Sequence, residues 1–444
     1  MPDEQPGAES VPGFAELGLP VVVVHALRRQ GATRPRDIQV RAVPPVLAGR
    51  DVLGRAPTGS GKTLAFGVPM LVRLTGSASR PSRPRALVLA PTRELADQIV
   101  AALDEPALAL GMRTTALTGG SPIGRQVQTL ARGTDLVVAT PGRLLDHLRR
   151  GSVHLDDVVV TTVDEADHLA ELGFLPQITE ILDTTPSAGQ RLLFSATLDG
   201  DVGSLVSRYL RDPVRVHTTV DAPPARMTHH VLVVDKADKP DVVDRLARGT
   251  GRILLFVRTQ AWADRLVARL VASGVDADVL HGGKSQAYRS RALARFTDGT
   301  TPVLVATDVA ARGIHVDDVA LVVHADPPSD AKSYVHRAGR TARAGASGTV
   351  VTVVTEQERD ATLVLLEQAQ ISPAVHRTRR ADPVLERLAG SRAAPAPPGP
   401  RAATAPQAPP TPPRGRRRRG ATDSRDGANP RSRSRHGRRG HRSD

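Results

Sequence analysis

Short, uninterrupted apolar runs recur along the chain and are separated by longer stretches with helical spacing. In the first half the runs are Val52-Leu53, inside Asp51–Gly54, then Ala86–Ala90, Asp135–Ala139, Val158–Val163 and Arg191–Phe194. A second series follows: His230–Val234, Ile253–Val257, Ala277–Leu280, Val303–Ala306, Val319–Val323 and Thr349–Val354. Runs of this length, apolar at consecutive rather than alternate positions, are the pattern of parallel strands buried on both faces. The expected fold is therefore α/β, with two tandem parallel-sheet domains. The expected boundaries are a flexible N-terminus at 1–13, a first domain at 14–218, a linker at 219–228 around Asp221-Ala222-Pro223-Pro224-Ala225, and a second domain at 229–380. Beyond about Ala381 the apolar periodicity fails, and 381–444 reads as a disordered Pro/Arg-rich tail.

Many of the apolar runs end in polar clusters: Pro91-Thr92-Arg93-Glu94, Thr140-Pro141-Gly142-Arg143, Asp164-Glu165-Ala166-Asp167 and Ser195-Ala196-Thr197. In a doubly wound sheet ligands bind outside the carboxyl ends of the strands, so these clusters should share one rim. The sharpest of them is Ala56-Pro57-Thr58-Gly59-Ser60-Gly61-Lys62-Thr63, between the run at 51–54 and a helix beginning Leu64-Ala65-Phe66. Small residues there let successive backbone N–H groups converge on phosphate oxygens at a helix N-terminus. Lys62 can then reach the terminal phosphates and Thr63 can offer its hydroxyl to Mg²⁺. Ala56 stands where the usual pattern has Gly. In the same domain Asp164 can hold Mg²⁺, and its neighbour Glu165 can orient or deprotonate an attacking water.

Composition narrows the chemistry further. With 444 residues, 40% of them hydrophobic but only 2% aromatic, the cores must rest on Val, Leu, Ile and Ala. The chain has no cysteine, which excludes disulfides, Cys-ligated zinc and a thiol nucleophile. The acidic, Pro/Gly-bearing N-terminus lacks the apolar core of a signal peptide, and no apolar run is long enough to span a bilayer. A cytoplasmic location is expected and no membrane partner. Of the formal net charge of +14, the segment 391–444, with 14 Arg and 3 Asp, supplies 14 − 3 = +11 and leaves +3 for the rest. Basicity is thus a property of the tail.

Taken in order, the motifs resemble those of the DEAD-box ATP-dependent RNA helicases, whose name is spelled by residues 164–167. The resemblance covers most of 14 to about 370 and implies two RecA-like domains, ATP and Mg²⁺ as cofactors, and RNA as partner, single-stranded or in short duplexes and bound without sequence preference. The segment Gly31–Gln39 resembles the family's Q motif, which implies that Gln39 reads the adenine edge and that the upstream Phe14 stacks nearby. Pro91, Thr92, Arg93, Gly120, Thr140, Pro141 and Arg143 are implied as first-domain RNA contacts. Arg258, Gln286, Arg289 and Thr307 are their implied second-domain counterparts. Gly313 is implied at the nucleotide, and Asp167, Ser195, Thr197 and His336 in coupling hydrolysis to unwinding. His336–Arg343 resembles the motif that supplies arginine fingers, carried here onto Arg340 and Arg343. The expected catalytic set is Lys62, Glu165, Arg340 and Arg343.

Three departures from the family pattern stand out. His315 replaces the usual Asp after Arg-Gly-Ile, which puts a ribose contact in doubt. Ala342 replaces a common Gly, and Ala32 replaces an aromatic residue of the Q motif. A DNA helicase is the nearest rival reading, weakened by the Gln39 segment. An RNA clamp that holds ATP without useful turnover is another, opposed by the presence of Glu165, Arg340 and Arg343. The Arg-rich, Lys-poor tail resembles that of the bacterial RhlE-like kind. Ribosome assembly, RNA decay and cold adaptation are all compatible with the motifs, with ribosomal or RNA-decay proteins as the corresponding protein partners.

Overall fold

Both series of apolar runs become strands of parallel sheets in the computed structural model, which describes residues 12–56, 59–198, 200–217, 227–311, 319–342 and 347–390. The first lobe contains β1 (Val52–Arg55), β2 (Ala86–Leu89), β3 (Thr114–Leu117), β4 (Leu136–Ala139), β5 (Val160–Val163), β6 (Gln190–Ser195) and β7 (Val214–His217). The second contains β8 (Met227–Val234), β9 (Arg252–Phe256), β10 (Ala277–Leu280), β11 (Val303–Ala306), β12 (Val319–His324), β13 (Gly348–Thr355) and β14 (Ala374–Arg377). Among the described residues the sheet orders are β3-β4-β2-β5-β6-β1-β7 and β10-β11-β9-β12-β13-β8-β14. Each second-lobe strand thus holds the place of the first-lobe strand numbered seven lower, and the two lobes repeat one topology. Every named pairing is parallel.

Three strands escape the apolar-run rule: β3, β7 and β14. All lie at sheet edges, and their side chains are half-buried or exposed at most positions, so Thr, Arg and His are tolerated where a central strand would carry Val or Leu.

Helices cover both faces of each sheet. In the first lobe Phe66, Met70, Ile99 and Leu103 pack on one face, and Leu144, Leu169 and Ile181 on the other. Leu266 and Leu270 cover one face of the second sheet, with Phe296, Tyr334 and Leu366 opposite. Close packing decides Gly54 in β1, where an added Cβ would lie 2.4 Å from the Phe194 ring.

The expected start of the tail at 381 is corrected. A helix at Pro383–Ala389, capped by the Asp382 carboxylate on the Val384 N–H, buries Val384, Leu385 and Ala389 in the second core. Glu386 pairs with Arg245 at 2.6 Å. A seven-residue helix with three core positions is too short to register as periodicity. At its other end the second lobe begins with β8 at Met227, two residues before the expected 229. Residues 1–11, most of the expected linker (219–226 of 219–228) and 391–444 lie outside the described residues. Among the described residues no helix is long and apolar enough to cross a membrane.

Candidate active site and nucleic-acid interface

The carboxyl ends of β1, β2, β4, β5 and β6 place the sequence motifs on one rim. The turn after β1 is shaped by Gly59 and Gly61, both left-handed at φ 85° and 92°. Lys62 opens the helix Lys62–Arg73 and is only 3% exposed. Its Nζ and the Ser60 hydroxyl are buried without a hydrogen-bond partner among the described residues. A buried ammonium is costly unless it is paired, and a phosphate is the group this turn is shaped to receive.

Above the turn lies a cavity of about 400 Å³ whose lining includes Gly31, Ala32, Arg36, Gln39, Lys62 and Thr63. The Gln39 amide is partly committed already: Oε1 accepts from the Arg36 backbone N–H at 2.8 Å and Nε2 donates to the Gly61 carbonyl at 3.0 Å. One N–H and one lone pair remain for a base. Arg36 donates to the Gly59 carbonyl at 2.5 Å, so the segment before β1 straps the phosphate turn from two points. Phe14, expected beside the base, is instead 3% exposed inside the first core and does not line this cavity. In an aromatic-poor chain its ring serves packing. Ala56 is buried, and its N–H donates to the Ser195 carbonyl at 3.2 Å.

At the end of β5, Asp164 is 1% exposed and accepts from the Glu165 N–H at 3.0 Å. Burial pushes its pKa up to about 7, with Lys62 opposing and Glu165 adding to the rise. Glu165 has left-handed backbone, φ 49° and ψ 52°, and stands immediately before the helix Ala166–Glu171. For a residue with a Cβ this conformation costs of order 1 kcal/mol or more, and such strain gathers at functional sites. The hard oxygens of Asp164 and Thr63 suit Mg²⁺, and Asp164 is where a divalent charge would relieve a buried carboxyl. Asp167 ties this corner to β6: its N–H donates to Ser195 Oγ at 3.2 Å, and its Oδ2 accepts from the Thr197 N–H at 3.1 Å and hydroxyl at 3.2 Å.

The nucleic-acid rim is built around the Gly119-Gly120 turn. Arg93 lies over it: an added Cβ on Gly120, whose φ is 83°, would stand 2.3 Å from the guanidinium. Thr92 caps the helix Arg93–Ala109, accepting from the Leu95 N–H at 3.2 Å, and Pro91 is buried. Arg143, expected as an RNA contact, uses its Nη1 on the Ser121 carbonyl at 3.0 Å and on Gln126 at 2.8 Å, and so braces this turn. Thr140 and Pro141 start the helix Pro141–Arg149, with Thr140 half-exposed. In the second lobe Arg258 is exposed at the end of β9, its N–H held by Asp326 at 2.8 Å, and Thr307 follows β11.

Gln286 and Arg289 depart from expectation. Gln286 donates to Glu94 Oε1 at 2.9 Å, and Arg289 meets Glu94 Oε2 at 2.8 Å, so both side chains span to the first lobe. Glu94 is 3% exposed, and a carboxylate buried that deeply needs such partners. On the nucleotide side, Lys332 pairs with Glu171 across the lobes at 2.6 Å. Burial lowers the pKa of His336, while the carboxylates of Glu171, Asp167 and Glu165 pull it up and Arg340 adds to the lowering. Arg340, 5% exposed, donates to the His336 carbonyl at 3.2 Å. Thr58, Gly313, His315 and Arg343 lie outside the described residues.

Family models match in the same order as these motifs: "DEAD/DEAH box helicase" over residues 36–205 and "Helicase conserved C-terminal domain" over 238–345. The ATP-dependent RNA helicase DBP2 of Scheffersomyces stipitis is 40% identical over 352 residues, 77% of this chain and 66% of that protein. The chain belongs to the DEAD-box helicase family. The mitochondrial DEAD-box ATP-dependent RNA helicase 9 of Arabidopsis thaliana is 38% identical over 349 residues, 77% of this chain and 57% of that one. The chain therefore spans about 57–66% of the length of these two relatives. S. cerevisiae Dbp5 bound to RNA and ADP BeF3 shares the fold with TM-score 0.74 and 28% identity, covering 85% of this chain and 98% of that one.

Within this DEAD-box frame, sequence reasoning missed Glu94, Arg36 and the pairing of Arg337. Arg337 holds Asp308 bidentately at 2.6 and 2.7 Å, with its guanidinium 5.0 Å from the Phe256 ring centroid. Motif order could flag these positions, but only the folded chain reveals their partners.

Proposed function

We propose that this DEAD-box chain is an ATP-dependent RNA helicase, which locally unwinds or remodels RNA by RNA-stimulated ATP hydrolysis at the cleft between its lobes. The observation that carries the reading is that both rims are bridged: Glu94 by Gln286 and Arg289, and Glu171 by Lys332 beside His336 and Arg340. A nucleotide cradle on one lobe and an arginine on the other make a site that is complete only when the lobes close. RNA bound across both rims favours that closure, and by linkage ATP favours RNA binding to the same degree.

Lys62 and the Gly59–Gly61 turn position the phosphates. Glu165, fixed by its strained backbone at the helix start, orients the attacking water and takes its proton. Arg340, with Arg343, offsets charge on the transferring phosphoryl group. Asp167 relays the state of this corner to β6 through Ser195 and Thr197. Thr63 and Asp164 would hold Mg²⁺, which when bound neutralises phosphate charge.

We further assign RNA as the preferred nucleic acid, a cytoplasmic location, and a role for the basic tail as a sequence-independent RNA tether. Tail composition alone supports the RhlE-like bacterial subgroup, since the relatives reported above are from a yeast and a plant. The test is ATP turnover with no nucleic acid, with single-stranded RNA and with DNA of the same sequence, alongside unwinding of a short RNA duplex. RNA-selective stimulation is expected. Equal rates in all three conditions, with no unwinding, would refute the proposal.

A further inference from the structure

Because the lobes repeat one topology, the second lobe has a counterpart of the nucleotide cradle at the carboxyl end of β8, which holds the place of β1. The helix there, Lys239–Leu246, begins with a lysine as Lys62–Arg73 does. Asp326, just beyond β12, corresponds to Asp164 beyond β5. The connection differs. Asp235-Lys236-Ala237-Asp238 has no glycine and is too short to wrap a phosphate. Lys239 Nζ is instead met by Glu358 Oε2 at 3.2 Å and by Asp326 at 3.8 Å. That Glu358 oxygen also accepts from the Thr355 N–H at 2.9 Å and hydroxyl at 3.0 Å. A carboxylate of the chain itself thus sits where the phosphate would be.

What remains above this pair is a cavity of about 510 Å³, lined in part by Val234, Lys236, Pro240 and Trp262. Trp262 is the only tryptophan in the chain. It lies in the first turn of the helix Gln260–Ala272, whose cap Thr259 accepts from its N–H at 3.2 Å, and Arg265 sits over its ring at 5.9 Å. Four residues earlier Arg258 is exposed on the same rim, its N–H held by Asp326, which lines this cavity. We propose that this cavity is a nucleobase pocket: it takes one unpaired base of bound RNA, stacked on Trp262, with the neighbouring phosphate at Arg258. Free nucleotides are excluded because Glu358 fills the phosphate position and Asp326 and Glu356 add repulsion. The base is favoured because an indole face accepts any base by stacking. The inference rests on the RNA partner proposed above.

Trp262 emission in the full chain reports this one site. Titration with ten-nucleotide oligo(U) and oligo(A) should quench it, with the midpoint seen by anisotropy of the same oligonucleotides, and AMP at millimolar concentration should not. Trp262→Ala should weaken RNA binding about tenfold while RNA-free ATP binding is unchanged, and Trp262→Phe, which keeps a ring and the packing, should recover most of the loss. RNA binding with unchanged emission, and with wild-type affinity in both variants, would overturn the pocket. Equal quenching by AMP would make it a free-nucleotide site and overturn it too. So would an emission response absent from the chain ending at Gly390 when anisotropy shows that chain saturated with RNA, because the Arg-rich segment would then be the occupant. Absence of any RNA binding would refute the proposed function itself, a different result from binding without quenching.

Discussion

The two lobes share a strand order and differ most at one junction. After β1 the chain leaves polar groups unsatisfied: Lys62 Nζ and Ser60 Oγ lack partners among the described residues, Asp164 is held near neutrality, and Glu165 is strained. After β8 the corresponding lysine is neutralised by Glu358 and Asp326. The frame is the same, so the frame does not confer activity. Function resides where the fold leaves a charge or a strain for a ligand to resolve, and its absence marks the lobe that only assists.

The largest expected effect on nucleotide affinity comes from replacing the two lysines. Lys62→Ala should weaken ATP binding about 100-fold, the scale of losing charge-assisted hydrogen bonds to phosphate. Lys239→Ala should leave ATP affinity within about twofold, because its ammonium is paired with Glu358 and Asp326 and a part-exposed pair of this kind is worth little. Calorimetric titration of both variants decides, and comparable losses would erase the distinction. Next, Glu165→Gln should lower RNA-stimulated turnover by roughly 10²–10⁴-fold, the usual worth of a positioned base. Its ATP dissociation constant should hold, a pairing that separates water activation from nucleotide holding.

A third change acts where the lobes meet. Glu94→Ala leaves Arg289 without its buried partner, a loss of about 3 kcal/mol in comparable settings, and should fall on the closed form alone. RNA-stimulated kcat/KM should drop at least tenfold, about 1.4 kcal/mol, while ATP binding to the RNA-free protein is spared. If RNA-free binding fell equally, Glu94 would be acting within the first lobe and not between the two.

Fourth, Asp164 has a folded pKa of about 7 against an ordinary 3.8. The native state therefore holds a proton that the unfolded chain releases between those values, and stability is lost as pH rises from about 4 to 7. Asp164→Asn should raise the melting temperature of the ligand-free protein near pH 7.5, with the gain shrinking toward pH 5. A gain that is flat across this range would assign the stabilisation to something other than titration. The smallest effect concerns the tail. Removing 391–444 should flatten the log–log salt dependence of the KM for RNA by roughly 3 if ~4 phosphate contacts are lost, with turnover at saturating RNA unchanged. A salt series on both proteins would show it, and identical slopes would reduce the tail to a solubility device.

The central strands and the phosphate turn were legible in the sequence because burial on both faces and glycine-dependent backbone leave signatures at consecutive positions. Edge strands such as β7 and the short helix at 383–389 were not, since half their positions face solvent. Motif order named Asp167, Ser195 and Thr197, which hydrogen-bond to one another at one corner. It could not reveal that Gln286 and Arg289 reach Glu94, about 190 residues away in sequence, or that Phe14 turns into the core. Such pairings are set by how two lobes meet, which no local pattern encodes.

The Lys239–Glu358 pair has a consequence for how the protein would answer to its surroundings. Inorganic phosphate and ADP must compete for the first lobe, but in the second they meet a position already held by a tethered carboxylate, whose effective concentration no free anion matches. Occupancy by ATP should then follow a simple hyperbola with a Hill coefficient near one, at one nucleotide per chain. The protein would register the ratio of ATP to ADP at a single point, and any sigmoidal response would have to come from RNA or from another molecule.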